Sequence, residues 1–181
     1  MSDVTQPPDL ASATSVPPPM TEAELEAVRS PALFAKLGME KLTAVMTDFY
    51  DRLFRDVMIG FMFQGKDKAH LIARETELTA KMLGAPGVTY TGRPMRTAHG
   101  SHTIFGGHFE RRLEVLRQVL AAHAVDPDVV RVWIDHTQLL RHTVTRDTGS
   151  ECKDTNEGRP KLDLAAPAPS PDALVKLKRR S

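Results

Sequence analysis

From Glu40 to Asp56 the side chains Leu42, Val45, Met46, Phe49, Tyr50, Leu53 and Phe54 return every three or four residues, with charged positions between them. That period predicts an amphipathic helix with one face turned to a core. The pattern recurs down the chain. Asp67 opens a second helix whose Leu71, Glu75, Leu78 and Met82 share a face until Gly84 and Pro86 stop it. Phe109, Leu113, Leu116 and Leu120 mark a third over His108 to Ala124. Asp126 and Pro127 cap a last one striped by Val129, Val130, Trp133, Thr137, Leu140 and Val144. Upstream, Thr21 and Glu24 have the spacing of a capping box for a short helix to about Arg29, and Ser30-Pro31 opens another that ends at Gly38. No segment alternates with a period of two, so the expected fold class is all-α.

The two ends lack such stripes. Residues 1–20 are rich in Pro, Ser, Thr and Ala, and residues 149–181 are similar before the basic run Lys176, Lys178, Arg179 and Arg180. Both are expected to be disordered, because so few large apolar groups cannot offset the entropy of ordering a backbone. This leaves one domain over residues 21–148. The formal charge of +1 over 181 residues gives no electrostatic footprint for nucleic acid, and no run is long and apolar enough for a membrane span. The start has neither the basic nor the apolar part of a secretory signal. The single cysteine, Cys152, has no partner for an internal disulfide, which fits a cytoplasmic location.

The candidate chemistry lies between the two middle helices. In Tyr90 to Phe109, YTGRPMRTAHGSHTIFGGHF, a turn at Thr91 to Pro94 leads to His99, and Gly100, Gly106 and Gly107 follow. An irregular, glycine-punctuated segment with one central imidazole between two long helices suits a bulky planar ligand better than plain helix packing. His70 is a rival on the preceding helix, but it stands roughly 100° off the face of Leu71, Glu75, Leu78 and Met82. His123, His136 and His142 read as ordinary surface or half-buried residues.

The order and spacing of DFYDRL around Tyr50, FMF ending at Phe63, LGAP at Leu83 to Pro86, YTGRPM at Tyr90 to Met95, and AH followed by HF resemble the truncated haemoglobins, most closely group I. The similarity covers about Leu33 to Val144. It implies a two-over-two helical sandwich holding haem b, with His99 as proximal iron ligand, Phe63 packed flat on the porphyrin and Tyr50 reaching the bound gas. Leu71 falls at a distal position. Glu75 falls where the family commonly has glutamine or leucine, and two accounts of it stand open: it is protonated or hydrogen-bonded to Tyr50, or it turns to solvent or pairs with a cation such as Arg74. Leu78, Met82, Leu83, Met95, Ile104, Phe109 and Leu113 are expected to line the pocket, and Arg74, Arg93 and Arg96 are candidates for the haem propionates.

The resemblance implies reversible binding of dioxygen, carbon monoxide and nitric oxide, for oxygen storage or transport. The alternative is a haem enzyme for nitric oxide dioxygenation or a peroxidase-like reaction. No nicotinamide or flavin fingerprint is present, so turnover would need an external electron-donor reductase. A third possibility, a helical sensor module that has lost its haem, sits poorly with the joint presence of Tyr50, Phe63 and His99.

Overall fold

A computed structural model of the chain describes residues 18–100 and 102–146. The expected disordered segments fall almost wholly outside these residues. Met20 is an exception: it packs against the core, and its N–H donates to Asp135 Oδ2 at 3.1 Å.

Among the described residues all regular structure is helical: α1 Glu22–Val28, α2 Pro31–Ala35, α3 Met39–Arg55, a 3₁₀ turn Gly60–Phe63, α4 Lys68–Leu83, α5 Met95–His99, α6 Gly106–Ala122, α7 Pro127–Leu139 and α8 Arg141–Val144. Local chemistry sets the starts. Thr21 and Glu24 form the reciprocal capping box, with Thr21 N–H donating to Glu24 Oε2 at 2.7 Å and Glu24 N–H to Thr21 Oγ1 at 3.3 Å. Ser30, Asp67 and Asp126 each accept a backbone N–H from the first turn they open. The expected last helix, drawn through Val144, instead breaks at Leu140 into α7 and α8.

α3 packs against α4 and α6, and α7 packs against the same two helices. The result is a pair α3/α4 stacked on a pair α6/α7, the two-over-two arrangement. Its centre is built from the stripes: Leu42, Val45, Met46 and Leu53 of α3, Leu83 of α4, Val119 of α6 and Val129 of α7 are all wholly buried. Each such side chain contributes about 1.5–3 kcal/mol by leaving water. The corner after α3 is fastened by Asp56. Its Oδ1 accepts the N–H groups of Met58 and Ile59, and its Oδ2 accepts Nε and Nη2 of Arg111 on α6.

Gly84 ends α4 in the left-handed region at φ +93°, and a Cβ there would stand 2.6 Å from backbone atoms of Ser30. Conformation and space both require glycine. Gly84→Ala is expected to lower stability by about 2 kcal/mol or more, read as a lower denaturant midpoint with an unchanged slope.

Candidate functional site

A cavity of about 910 Å³ opens among α3, α4, α6 and α7, with α5 and α8 on its wall. His99 reaches it from α5. Within the expected irregular segment, Met95–His99 forms a single helical turn, started by Pro94, with His99 as its last residue. Several bonds hold that turn in place. Thr91 donates its N–H and hydroxyl to Glu77 Oε2 of α4, both at 2.9 Å, and Tyr90 donates its hydroxyl to the Arg93 carbonyl. On the far side α5 packs on α8; beyond α8, the Arg146 N–H donates to Ile104 O and its guanidinium to Gly100 O.

The His99 ring is half-buried, and Nδ1 lies 3.0 Å from the Met95 carbonyl. A carbonyl can only accept, so Nδ1 carries the hydrogen and Nε2 keeps its lone pair. Burial pushes the His99 pKa below the usual histidine value, against the opposing pull of the Met95 hydrogen bond. The ring is a neutral, oriented Lewis base.

A polar network from three other helices shares the cavity. Tyr50 of α3 is 4% exposed and donates its hydroxyl to Glu75 Oε2 of α4 at 3.3 Å. Arg112 of α6 donates from Nη2 to Glu75 Oε1 at 2.7 Å and lies with its guanidinium carbon 4.9 Å from the Phe49 ring centroid. Burial, reinforced by the negative charge of Glu75, drives the Tyr50 phenol pKa far upward, so Tyr50 keeps its proton. Of the two accounts of Glu75, the bond to Tyr50 and the pairing with a cation both hold, but the cation is Arg112. Arg74 pairs with Glu77 at 3.1 Å instead. Sequence reasoning missed Arg112 because Leu113 was taken for the stripe; yet Arg112 stands three residues after Phe109 and four before Leu116, on the same face as both.

Of the expected wall residues, Phe63, Leu71, Leu78, Met82, Met95, Ile104 and Phe109 do border the cavity, and Phe63 meets Tyr50 edge-on with ring centroids 6.2 Å apart. Leu83 and Leu113 do not. Each is turned roughly 100° from a neighbour that does, Met82 or Arg112, and is buried in the core. Arg74 and Arg93 border the cavity and Arg96 does not. His70 is exposed, its side chain on the cavity rim. His136, expected to be an ordinary residue, also lines the cavity beside Trp133 and Thr137, and burial lowers its pKa. Its signal was its place three residues after Trp133 and four before Leu140, on the inward stripe of α7.

Residues 32–146, more than half of the chain, match the family model for bacterial-like globins. The chain belongs to that family. A group 1 truncated hemoglobin, GlbN, from Mycolicibacterium paratuberculosis is 32% identical over 93 residues, 51% of this chain and 68% of that protein. The truncated hemoglobin of Tetrahymena pyriformis in its Fe(III) form superposes with a TM-score of 0.57 at 23% identity, covering 62% of this chain and 97% of that one. The 2/2 hemoglobin from Synechococcus sp. PCC 7002, solved in the cyanomet state with covalently attached heme, gives 0.57 and 23%, over 64% and 98%. The fold is that of the truncated globins, a haem-binding family.

The residues of this globin fit a haem. The cavity lies within the size of cofactor pockets, its walls are mainly apolar, and His99 on its wall keeps a free Nε2. Arg74, which borders the cavity, also holds a buried Nε with no hydrogen-bond partner, a donor suited to a carboxylate.

His136 generates a test. Its folded pKa lies below the unfolded value of 6.5, so the unfolded chain binds more protons as pH falls through that range. The contribution of His136 to stability is therefore fully present above about pH 6.5 and is lost as pH falls through its lowered folded pKa. Replacing His136→Gln is expected to flatten this acid limb in thermal melts between about pH 7.5 and 5, with little change at the alkaline end.

Proposed function

We infer that this globin binds haem b through His99 Nε2 and takes dioxygen, carbon monoxide or nitric oxide reversibly. The observation that carries the inference is the His99 ring, oriented by the Met95 carbonyl with its second nitrogen free toward an apolar cavity. The bound haem supplies an iron with one coordination site open to a diatomic gas. Everything else belongs to the chain. The Met95 bond fixes the tautomer and the plane of the His99 ring, so no ordering is left to be done when it acts as a ligand. Phe63 and Phe109 offer flat apolar surface, while Leu71, Leu78 and Met82 exclude water from the interior. Tyr50 offers a hydroxyl rotor whose single proton can leave Glu75 for a polar ligand. Arg74 and Arg93 supply cations for the propionates. Action in the cytoplasm is part of this proposal, supported by the lone Cys152.

The purified protein is expected to show a Soret band and, when reduced and ligand-free, a five-coordinate ferrous spectrum. His99→Ala should weaken haem uptake, with added imidazole restoring the spectrum; unaltered uptake and ligand association would overturn the assignment. Tyr50→Phe should speed oxygen release about tenfold, as expected for one hydrogen bond of about 1–1.5 kcal/mol. Mixing the oxygenated protein with nitric oxide and counting nitrate per reduction cycle separates gas carriage from turnover with a reductase.

A further inference from the structure

We propose that Glu77 is a positioning residue for His99: its carboxylate on α4 fixes the turn that presents the imidazole, and so sets how firmly the haem iron is held. The proposal rests on the haem reading above and adds to it a side chain that does not border the cavity. His99 ends a helix of only five residues. A helix so short cannot hold itself, because fixing a first turn costs more than its few bonds return. Its position must come from ties to the rest of the fold. Arg146 secures the far end, at Gly100 O and Ile104 O. At the near end a single oxygen, Glu77 Oε2, accepts the Thr91 N–H and hydroxyl, both at 2.9 Å, and lies 3.1 Å from Arg74 Nη1. Hydrogen bonds to a charged acceptor are about twice as strong as neutral ones. The Thr91 N–H, foremost, holds the Glu77 carboxyl below its usual range, so it is ionised at neutral pH.

Little slack lies between that anchor and the imidazole. Tyr90 donates its hydroxyl to the Arg93 carbonyl at 3.0 Å, and its ring folds so closely over Gly92 that a Cβ there would run into the phenol. Pro94 follows with its φ locked by the ring. Its carbonyl accepts the Ala98 N–H at 2.9 Å, and the Met95 carbonyl is the partner of His99 Nδ1. A shift at Thr91 therefore passes through a closed turn to Pro94 and Met95, and from there to the plane of the ring. A metal ligand depends on the groups that orient it, and a ring turned off line binds less well. Because Arg74 meets the same Oε2, one carboxylate registers both the imidazole segment and a cation offered to the propionates against α4.

The test uses the haem-loaded full chain, with two readouts: the iron–histidine stretching band of the gas-free ferrous protein by resonance Raman, and the rate of haem transfer to excess apomyoglobin. Glu77→Ala should displace or broaden the band and speed haem transfer about tenfold, as expected for loss of a group that orients a metal ligand. Glu77→Gln keeps an oxygen for Thr91 and should behave as wild type. Thr91→Val keeps the N–H bond but not that of the hydroxyl, and should move both readouts the same way by less; it carries the test alone where the alanine variant does not fold. Adding Thr91→Val to Glu77→Ala should change nothing further, since both act through one link. The C–O stretching band of the carbon monoxide complex should stay in place throughout, because Tyr50, Glu75 and Arg112 are untouched. Unchanged readouts in Glu77→Ala, additive effects in the double variant, a Glu77→Gln as impaired as Glu77→Ala, or a displaced C–O band would each overturn the proposal with haem still bound. A wild-type protein that takes up no haem would overturn the haem reading, and the proposal with it.

Discussion

A hole of about 910 Å³ inside a fold of this size can persist only if the helices around it are held apart by contacts made elsewhere. α4 bears most of that constraint. Ala80 and Leu83 turn to the core and are wholly buried, while Leu71, Glu75, Leu78, Thr79 and Met82 border the cavity. One helix therefore has two inner faces, and its position is fixed by the first so that the second can stay partly unfilled. The ends are pinned to match, by Asp67 at its start and by Gly84 against Ser30 at its close. The Thr91 bonds to Glu77 then carry that fixed position on to the segment that presents His99.

This division explains what was legible in the sequence. Long stripes on α3, α4, α6 and α7 gave the elements and the all-α class, since a period of 3.6 is written directly into the residue order. Caps at Thr21, Ser30, Asp67 and Asp126 were equally plain, because each depends on residues no more than three apart. The motif around His99 marked the right segment; within it Met95–His99 closes one helical turn whose last ring bonds back to its first carbonyl, a feature that Pro94 and Gly100 at its two ends do not announce.

The illegible part was side-chain facing within a stripe. Leu83 and Leu113 have the right hydrophobicity for a cavity wall and lie one residue from true wall positions, yet they point to the core. A helix that borders both a core and a cavity has apolar residues over a wide arc, and composition cannot say which part of the arc meets which. His136 shows the converse. An imidazole on an inward stripe looks like a tolerated core histidine until the third dimension puts empty space in front of it.

Glu75 is the clearest case of information divided between distant positions. Alone, a carboxylate on an inward helical face is an anomaly, because an uncompensated charge in a half-buried place costs several kcal/mol. Arg112 alone is another, on a face otherwise marked by Phe109 and Leu116. They are 37 residues apart and on different helices, and only the packing of α4 and α6 around one cavity joins them. Each then supplies the reason for the other. Tyr50, from α3, uses its hydroxyl to tie a third helix to the same carboxylate. Removing either charge leaves its partner facing the cavity uncompensated, so the two residues are best understood as a single unit of the site.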